Sequence, residues 1–311
     1  MQSWKKKGVI YNSAGDFWWN KTHAQVPVAT AVGNNVLRIY YSARDEHGRS
    51  HISYIETSAI NPKEVVYKHP EPILPLGDVG SFDDSGIMPT SILSMDDRHY
   101  LYYIGWTTRG TVPFSNAIGL AESFDGGKTF KKVYQGPIIG CSAKEPYFTG
   151  TCCVIQIDER YVAYYLSCIG WKKLGSKLEP LYDLKIAVSK DAKEWKITGK
   201  VAIPLLENEG GIASATVVFK DGKYHMLFSV RGAEDYRENP LHSYKIGYAE
   251  SINGYDWHRM SSNVIPLSVE GWDAQMVAYP NLVTTDQGQL LFYNGNGFGQ
   301  SGFGYAILNN S

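Results

Sequence analysis

Short runs rich in aromatic and β-branched side chains recur along the chain, at 36–42, 100–106, 161–167, 224–230 and 290–294. Turn pairs such as Gly33-Asn34, Asp96-Asp97, Asp221-Gly222 and Gln287-Gly288 come just before them. This pattern predicts β-strands. Ahead of each run lies a segment that opens on a polar or charged residue and continues into small and apolar ones. The openings are His23, Asp84, Glu145, Glu209 and Asp273, which fall 61, 61, 64 and 64 residues apart. Such regularity is the signature of a repeat array.

A third strand is expected in each unit from the runs at 52–56, 117–121, 184–188, 245–249 and 302–306, whose small residues suit close sheet packing. A turn followed by an aromatic announces a fourth strand in three units, at 123–130, 189–195 and 251–257. Four strands per unit make a propeller blade. The fifth unit has no fourth strand of its own, but residues 4–11 (WKKKGVIY) resemble 195–202 (WKITGKVA) and can complete it. The expected fold is therefore all-β, a five-bladed β-propeller of four-stranded blades forming one domain over residues 1–311. Its N-terminal strand would complete the fifth blade and leave no open edge.

Composition narrows the chemistry. Thirty basic against thirty-one acidic residues give a net charge of −1, so no global field draws in nucleic acid or an anionic membrane. No stretch has the length of a membrane span, and the basic start is not followed by a signal-type apolar run, so a cytoplasmic protein is expected. Cys141, Cys152, Cys153 and Cys168 show no metal or redox spacing and read as buried free thiols. No cofactor or metal is implied. Twenty-two Tyr, 11 Phe and 8 Trp suit β-structure or the stacking of sugar C–H faces.

In a blade the first strand lines the channel, and the second runs back to the same face. That face should collect the ring His23, Asp84, Glu145, Glu209 and Asp273, with the strand-two ends Arg44, Trp106, Trp171, Arg231 and Asn296 beside it. Converging carboxylates repel one another and lose water, which raises a pKa toward general-acid use. The catalytic candidates are Glu209, Asp84, Glu145 and Asp273. Candidates for substrate contact are His23, Gln25, Asp83, Arg44, Trp106, Lys144, Trp171, Arg231, Trp272 and Gln275. Arg44, Lys144 and Arg231 would suit a carboxylated sugar, a phosphate or a nucleotide-linked donor, or would pair with the ring acids.

In layout the chain resembles the five-bladed glycoside hydrolases of families 43, 32, 68 and 130. The resemblance implies Glu209 as general acid, Glu145 in a supporting place, and Asp84 or Asp273 as base. His23 stands where families 43 and 32 carry an acid, and Ala24 and Gln25 supply none. Family 130 implies instead one acid with phosphate held by basic residues, roles open to Asp84 with Arg44, Lys144, Arg231 and His23. Residues 123–130 (SFDGGKTF) look like a sialidase Asp-box, a fold-stabilising turn. Three readings follow: an enzyme acting at a glycosidic bond, a phosphorylase or glycosyl-transferring enzyme, and a propeller that holds a glycan without cleaving it. All take a carbohydrate, with anionic or phosphorylated sugars among the options, and none involves nucleic acid.

Overall fold

The computed structural model describes residues 3–260, 264–286 and 288–309. Gln287 of the expected Gln287-Gly288 turn lies outside them. After β1 (Trp4–Tyr11), the strands run as consecutive antiparallel meanders. These are β2 (Thr22–Ala31), β3 (Val36–Arg44), β4 (Ser50–Ser58) and β5 (Val65–Lys68); then β6 (Gly86–Ser94), β7 (His99–Thr108), β8 (Phe114–Ser123) and β9 (Lys131–Lys132). Next come β10 (Thr149–Ile157), β11 (Arg160–Leu174), β12 (Lys177–Ser189) and β13 (Lys196–Ile203), and β14 (Glu209–Lys220), β15 (Lys223–Gly232), β16 (Lys245–Ser251) and β17 (His258–Met260). The last is β18 (Ala278–Thr285), β19 (Gly288–Asn294) and β20 (Phe303–Leu308), and β1 pairs with β20, from Trp4 opposite Leu308 to Tyr11 opposite Phe303. The chain is all-β, and its arrangement is that of a β-propeller. β5, which no turn signal announced, is the fourth strand of the first meander.

Side-chain rivets join neighbouring meanders. The buried hydroxyls of Tyr40, Tyr102 and Tyr164 donate to the carbonyls of Gly127, Ala192 and Gly254 at 2.7, 2.6 and 2.7 Å. Each acceptor lies in the turn that announces the fourth strand of the following meander. In the first of these turns Ser123 Oγ donates to Asp125, which also accepts from the Lys128 amide and from Thr129. Desolvation opposes ionisation of Asp125, but the hydrogen bonds from Thr129, Ser123 and the backbone hold its pKa well below the ordinary carboxylate range. The Asp-box-like segment is thus a structural latch, as are its counterparts at Ser189 with Asp191 and Ser251 with Asn253.

Every first strand is interrupted by a bulge in nearly the same place, between Gln25 and Val28, Pro89 and Ser91, Thr149 and Cys152, Ala213 and Thr216, and Ala278 and Asn281. Val26, Ser214 and Tyr279 adopt left-handed φ values of 53°, 47° and 54° there, which side-chain-bearing residues rarely do. A bulge frees an amide from the ladder, and a buried amide without a partner is costly. The freed amides of Val26, Cys152, Ser214 and Tyr279 are met by Asn294 Oδ1, Thr90 Oγ1, Thr151 Oγ1 and Ser229 Oγ, each from the preceding meander, the last one preceding the first.

Cys152, Cys153 and Cys168 are buried free thiols, and burial pushes Cys153 up to about 12. Cys141 departs from the expectation and is exposed, because it lies in the loop ahead of β10. Among the described residues no helix is long and apolar enough to cross a membrane.

Candidate functional site

The bulges surround a cavity of about 210 Å³. First strands line it with Val26, Met88, Thr151, Ala213 and Tyr279, and later strands add Arg44, Trp106, Asn116 and Tyr182. Two irregular segments complete the wall. The loop between β15 and β16 brings Tyr236, Arg237 and Tyr244, and the single helical turn Asn296–Gly299 brings Phe298 in a left-handed conformation. Gln25 pins that turn by donating to the Phe298 carbonyl at 2.7 Å, and its Oε1 accepts from Arg44 Nε at 3.2 Å.

The charges at this cavity are cationic. Arg44 lines the cavity and has no acidic partner among the described residues. Desolvation lowers its pKa, Tyr279 opposes the fall, and the charge of Arg237 adds to it. Arg237 Nε reaches Glu179 Oε1 at 3.2 Å, and the guanidinium lies over the rings of Tyr236 and Phe298. Tyr236 donates to Glu179 Oε2 at 2.6 Å. Behind them Arg231, 1% exposed, is sandwiched between Tyr182 and Tyr236 and donates to the Tyr182 hydroxyl and to the carbonyls of Gly232 and Pro180. Tyr182 and Tyr244 share a hydroxyl–hydroxyl hydrogen bond. Burial, then the charge of Arg44, pushes His23 down to about 4, so its ring is neutral at pH 7.

None of Glu209, Asp84, Glu145 and Asp273 is among the residues that line the cavity. Acids at or beside these positions form clasps, each closed within its own meander. Asp83 accepts from Tyr103 at 3.0 Å and pairs with Lys132 at 2.6 Å. Asp273 does the same with Tyr293 at 3.0 Å and Lys6 at 2.7 Å. Glu145 accepts from Tyr165 and Ser167 at 3.0 Å, with Lys185 at 3.5 Å. The tyrosine follows its acid by 20 residues in all three. Asp83, rather than Asp84, is therefore the partner of Glu145 and Asp273 in the repeat. Asp84 folds back to accept from the Gly80 amide and Ser85. In the fourth meander the tyrosine position is Ser229, and Glu209 turns to Arg259 on β17, which grips both its oxygens at 2.5 and 2.8 Å.

Of the other expected contacts, Gln25, Arg44 and Trp106 reach the cavity. Trp171 backs its wall by packing on Phe114 and Phe148. Trp272 packs tilted against Tyr293, with ring centroids 5.1 Å apart, inside the fifth meander. Lys144 and Gln275 are exposed, and Arg231 is buried behind the wall. The sequence reading missed Tyr236, Arg237, Tyr279, Phe298 and Asn116. One signal was available: the second-to-third-strand connection of the fourth unit is long and carries Tyr236-Arg237, and long connections in compact folds carry function.

Comparison with solved structures places the fold. A glycosyl hydrolase from Bacteroides ovatus superposes with a TM-score of 0.73 at 15% identity, covering 98% of this chain and 93% of that one. A thermostable family-43 glycoside hydrolase gives 0.66 at 18% identity, covering 96% and 91%. A member of the family-130 mannoside phosphorylases, a group reported to include hydrolases of β-1,2 mannosidic linkages in Candida mannan, gives 0.69 at 15% identity, covering 99% and 94%. The chain thus has the propeller fold of glycoside hydrolases of family 43, 32 and 130 type. No protein-family profile matches it. At the level of sequence it is 31% identical over 310 residues to the uncharacterized protein Rv1502 of Mycobacterium tuberculosis (strain H37Rv), covering 99% of this chain and all of that one. The chain belongs to the family of that protein.

Proposed function

We propose that this protein is a single-domain, five-bladed propeller, completed by its N-terminal strand, which binds a carbohydrate in the central cavity. The pairing of β1 with β20 and the bond from the Ala29 amide to Asn281 Oδ1 support the ring closure. The observation that carries the function is the cavity lining. It combines the aromatic rings of Tyr236, Tyr279, Phe298 and Trp106 with amide and hydroxyl groups of Gln25, Asn116 and Thr151, while no Asp or Glu is among the lining residues. Aromatic faces stack on sugar C–H surfaces, and amides and hydroxyls match sugar hydroxyls. Glycosidic cleavage by the usual route needs two carboxylates flanking the bond. Glu209, Asp84, Glu145 and Asp273 serve the fold in this reading, and holding a glycan without cleaving it is the function favoured.

A second reading keeps catalysis and moves it to Glu179. That carboxylate contacts two cavity residues, Tyr236 and Arg237, and lines the groove beside the cavity. Screening the protein against a glycan array and against activated glycosides, with and without phosphate, separates the readings. Binding without turnover supports the first. Turnover abolished by Glu179→Gln and retained by Glu209→Gln supports the second, and turnover lost in Glu209→Gln alone overturns both.

A further inference from the structure

We propose that the cavity recognises its carbohydrate through an oxyanion carried on the sugar itself, a carboxylate or a phosphate ester, held between Arg44 and Arg237. This rests on the reading of the cavity as a glycan site. Two guanidiniums, Arg44 and Arg237, line the cavity with Arg231 behind its wall, and Glu179 engages Arg237 and Tyr236. Arg231 is consumed by the wall, its donors taken by Tyr182, Gly232 and Pro180. Arg44 is not. Its Nε goes to Gln25, and its terminal nitrogens have no protein partner among the described residues.

A partly buried guanidinium without a counter-ion is costly, and placing a second cation across the cavity from it adds to that cost. Both penalties vanish when an oxyanion enters, because guanidinium forks match planar carboxylate and phosphate oxygens. The neutral residues around them leave such a ligand no competing acid inside the cavity. Arg237 and Phe114 also line the adjoining groove of about 440 Å³, where Arg109 and Lys177 stand with Glu179, so a longer glycan can leave the cavity along a polar wall of mixed charge.

The test is an array of neutral, uronic-acid-bearing and phosphorylated glycans read with the full chain, followed by calorimetry on the best acidic ligand and its neutral counterpart. The acidic ligand is expected to bind at least about tenfold more tightly. Arg44→Gln is expected to lose about ten- to a hundredfold on the acidic ligand and much less on the neutral one, so that the acidic preference collapses. Arg44→Lys, which keeps the charge, recovers part of the loss and serves if the Gln variant does not fold. The uronic and phosphorylated arms tell which oxyanion is recognised. Equal affinity for acidic and neutral glycans, or an acidic preference that survives Arg44→Gln, overturns the oxyanion while the glycan reading stands. Inorganic phosphate binding as tightly as a phosphorylated sugar makes this a free-anion site and overturns the proposal. Failure of every glycan to bind overturns the glycan reading beneath it.

Discussion

Asp183 on β12 offers the sharpest test of charge burial within the third meander. The residue is 7% exposed, and its Oδ1 has no hydrogen-bond partner among the described residues. Desolvation raises its pKa to about 6, the neighbouring Glu145 carboxylate adds to the rise, and Lys185 opposes it. The folded state therefore keeps a proton that the unfolded chain releases near 3.8. The folded state binds more protons in that window, so this contribution to stability is fully present below about 3.8 and is lost as pH rises through about 6. Above pH 6 the ionised group costs about 3 kcal/mol, less whatever local relaxation recovers. Asp183→Asn keeps the shape and removes the charge. The variant should match the parent near pH 4 and exceed it by about 2–3 kcal/mol at pH 8, which moves a urea midpoint upward by about 1 M or more. Urea melts of both proteins between pH 4 and 8 measure this. A stability difference that is flat across the range, or that favours the parent at high pH, would refute the burial argument.

Further outcomes follow from the clasps and bulges. Lys6→Met leaves Asp273 buried without its cation, and a loss of about 3–5 kcal/mol is expected in thermal or urea melts, larger than for Tyr293→Phe. Glu209→Gln weakens the grip of Arg259 and should cost about 1 kcal/mol of stability while glycan affinity is retained; loss of affinity with unchanged stability would return Glu209 to the site. Ser229→Ala removes the acceptor of the Tyr279 amide, with about 1–3 kcal/mol lost and weaker ligand binding, because Tyr279 lines the cavity. His23 should stay neutral down to about pH 4 in ring-proton NMR titrations of the free protein, and an oxyanion on Arg44 should move that titration upward.

The repeat was legible in the sequence because strand signals are local. An aromatic and β-branched run, a turn pair and a small-residue strand each state their own conformation, and their spacing along the chain reports the architecture. The pairing of residues 4–11 with the last meander was legible for the same reason, since WKKKGVIY carries the same pattern as an earlier fourth strand. The candidate site was legible only in part. Gln25, Arg44 and Trp106 lie where the strand directions predict, at the face shared by first-strand starts and second-strand ends.

What the tertiary structure decided is where each charge points. Asp83 and Asp84 are adjacent and alike in sequence, yet one is buried against Tyr103 and Lys132 and the other folds back on its own loop. The choice depends on a tyrosine 20 residues later, an offset that recurs in three units, and on a lysine from another strand whose distance along the chain differs in each unit. The same holds for Glu209, whose partner Arg259 comes from the outermost strand, and for Lys6, which reaches Asp273 across nearly the whole chain. A carboxylate becomes a catalyst or a clasp according to the cation and hydroxyls that reach it. The sequence determines the repeating strands and which residues start them; only the packed sheets bring the lysines and tyrosines to the acids, and leave Arg44 facing the cavity without one.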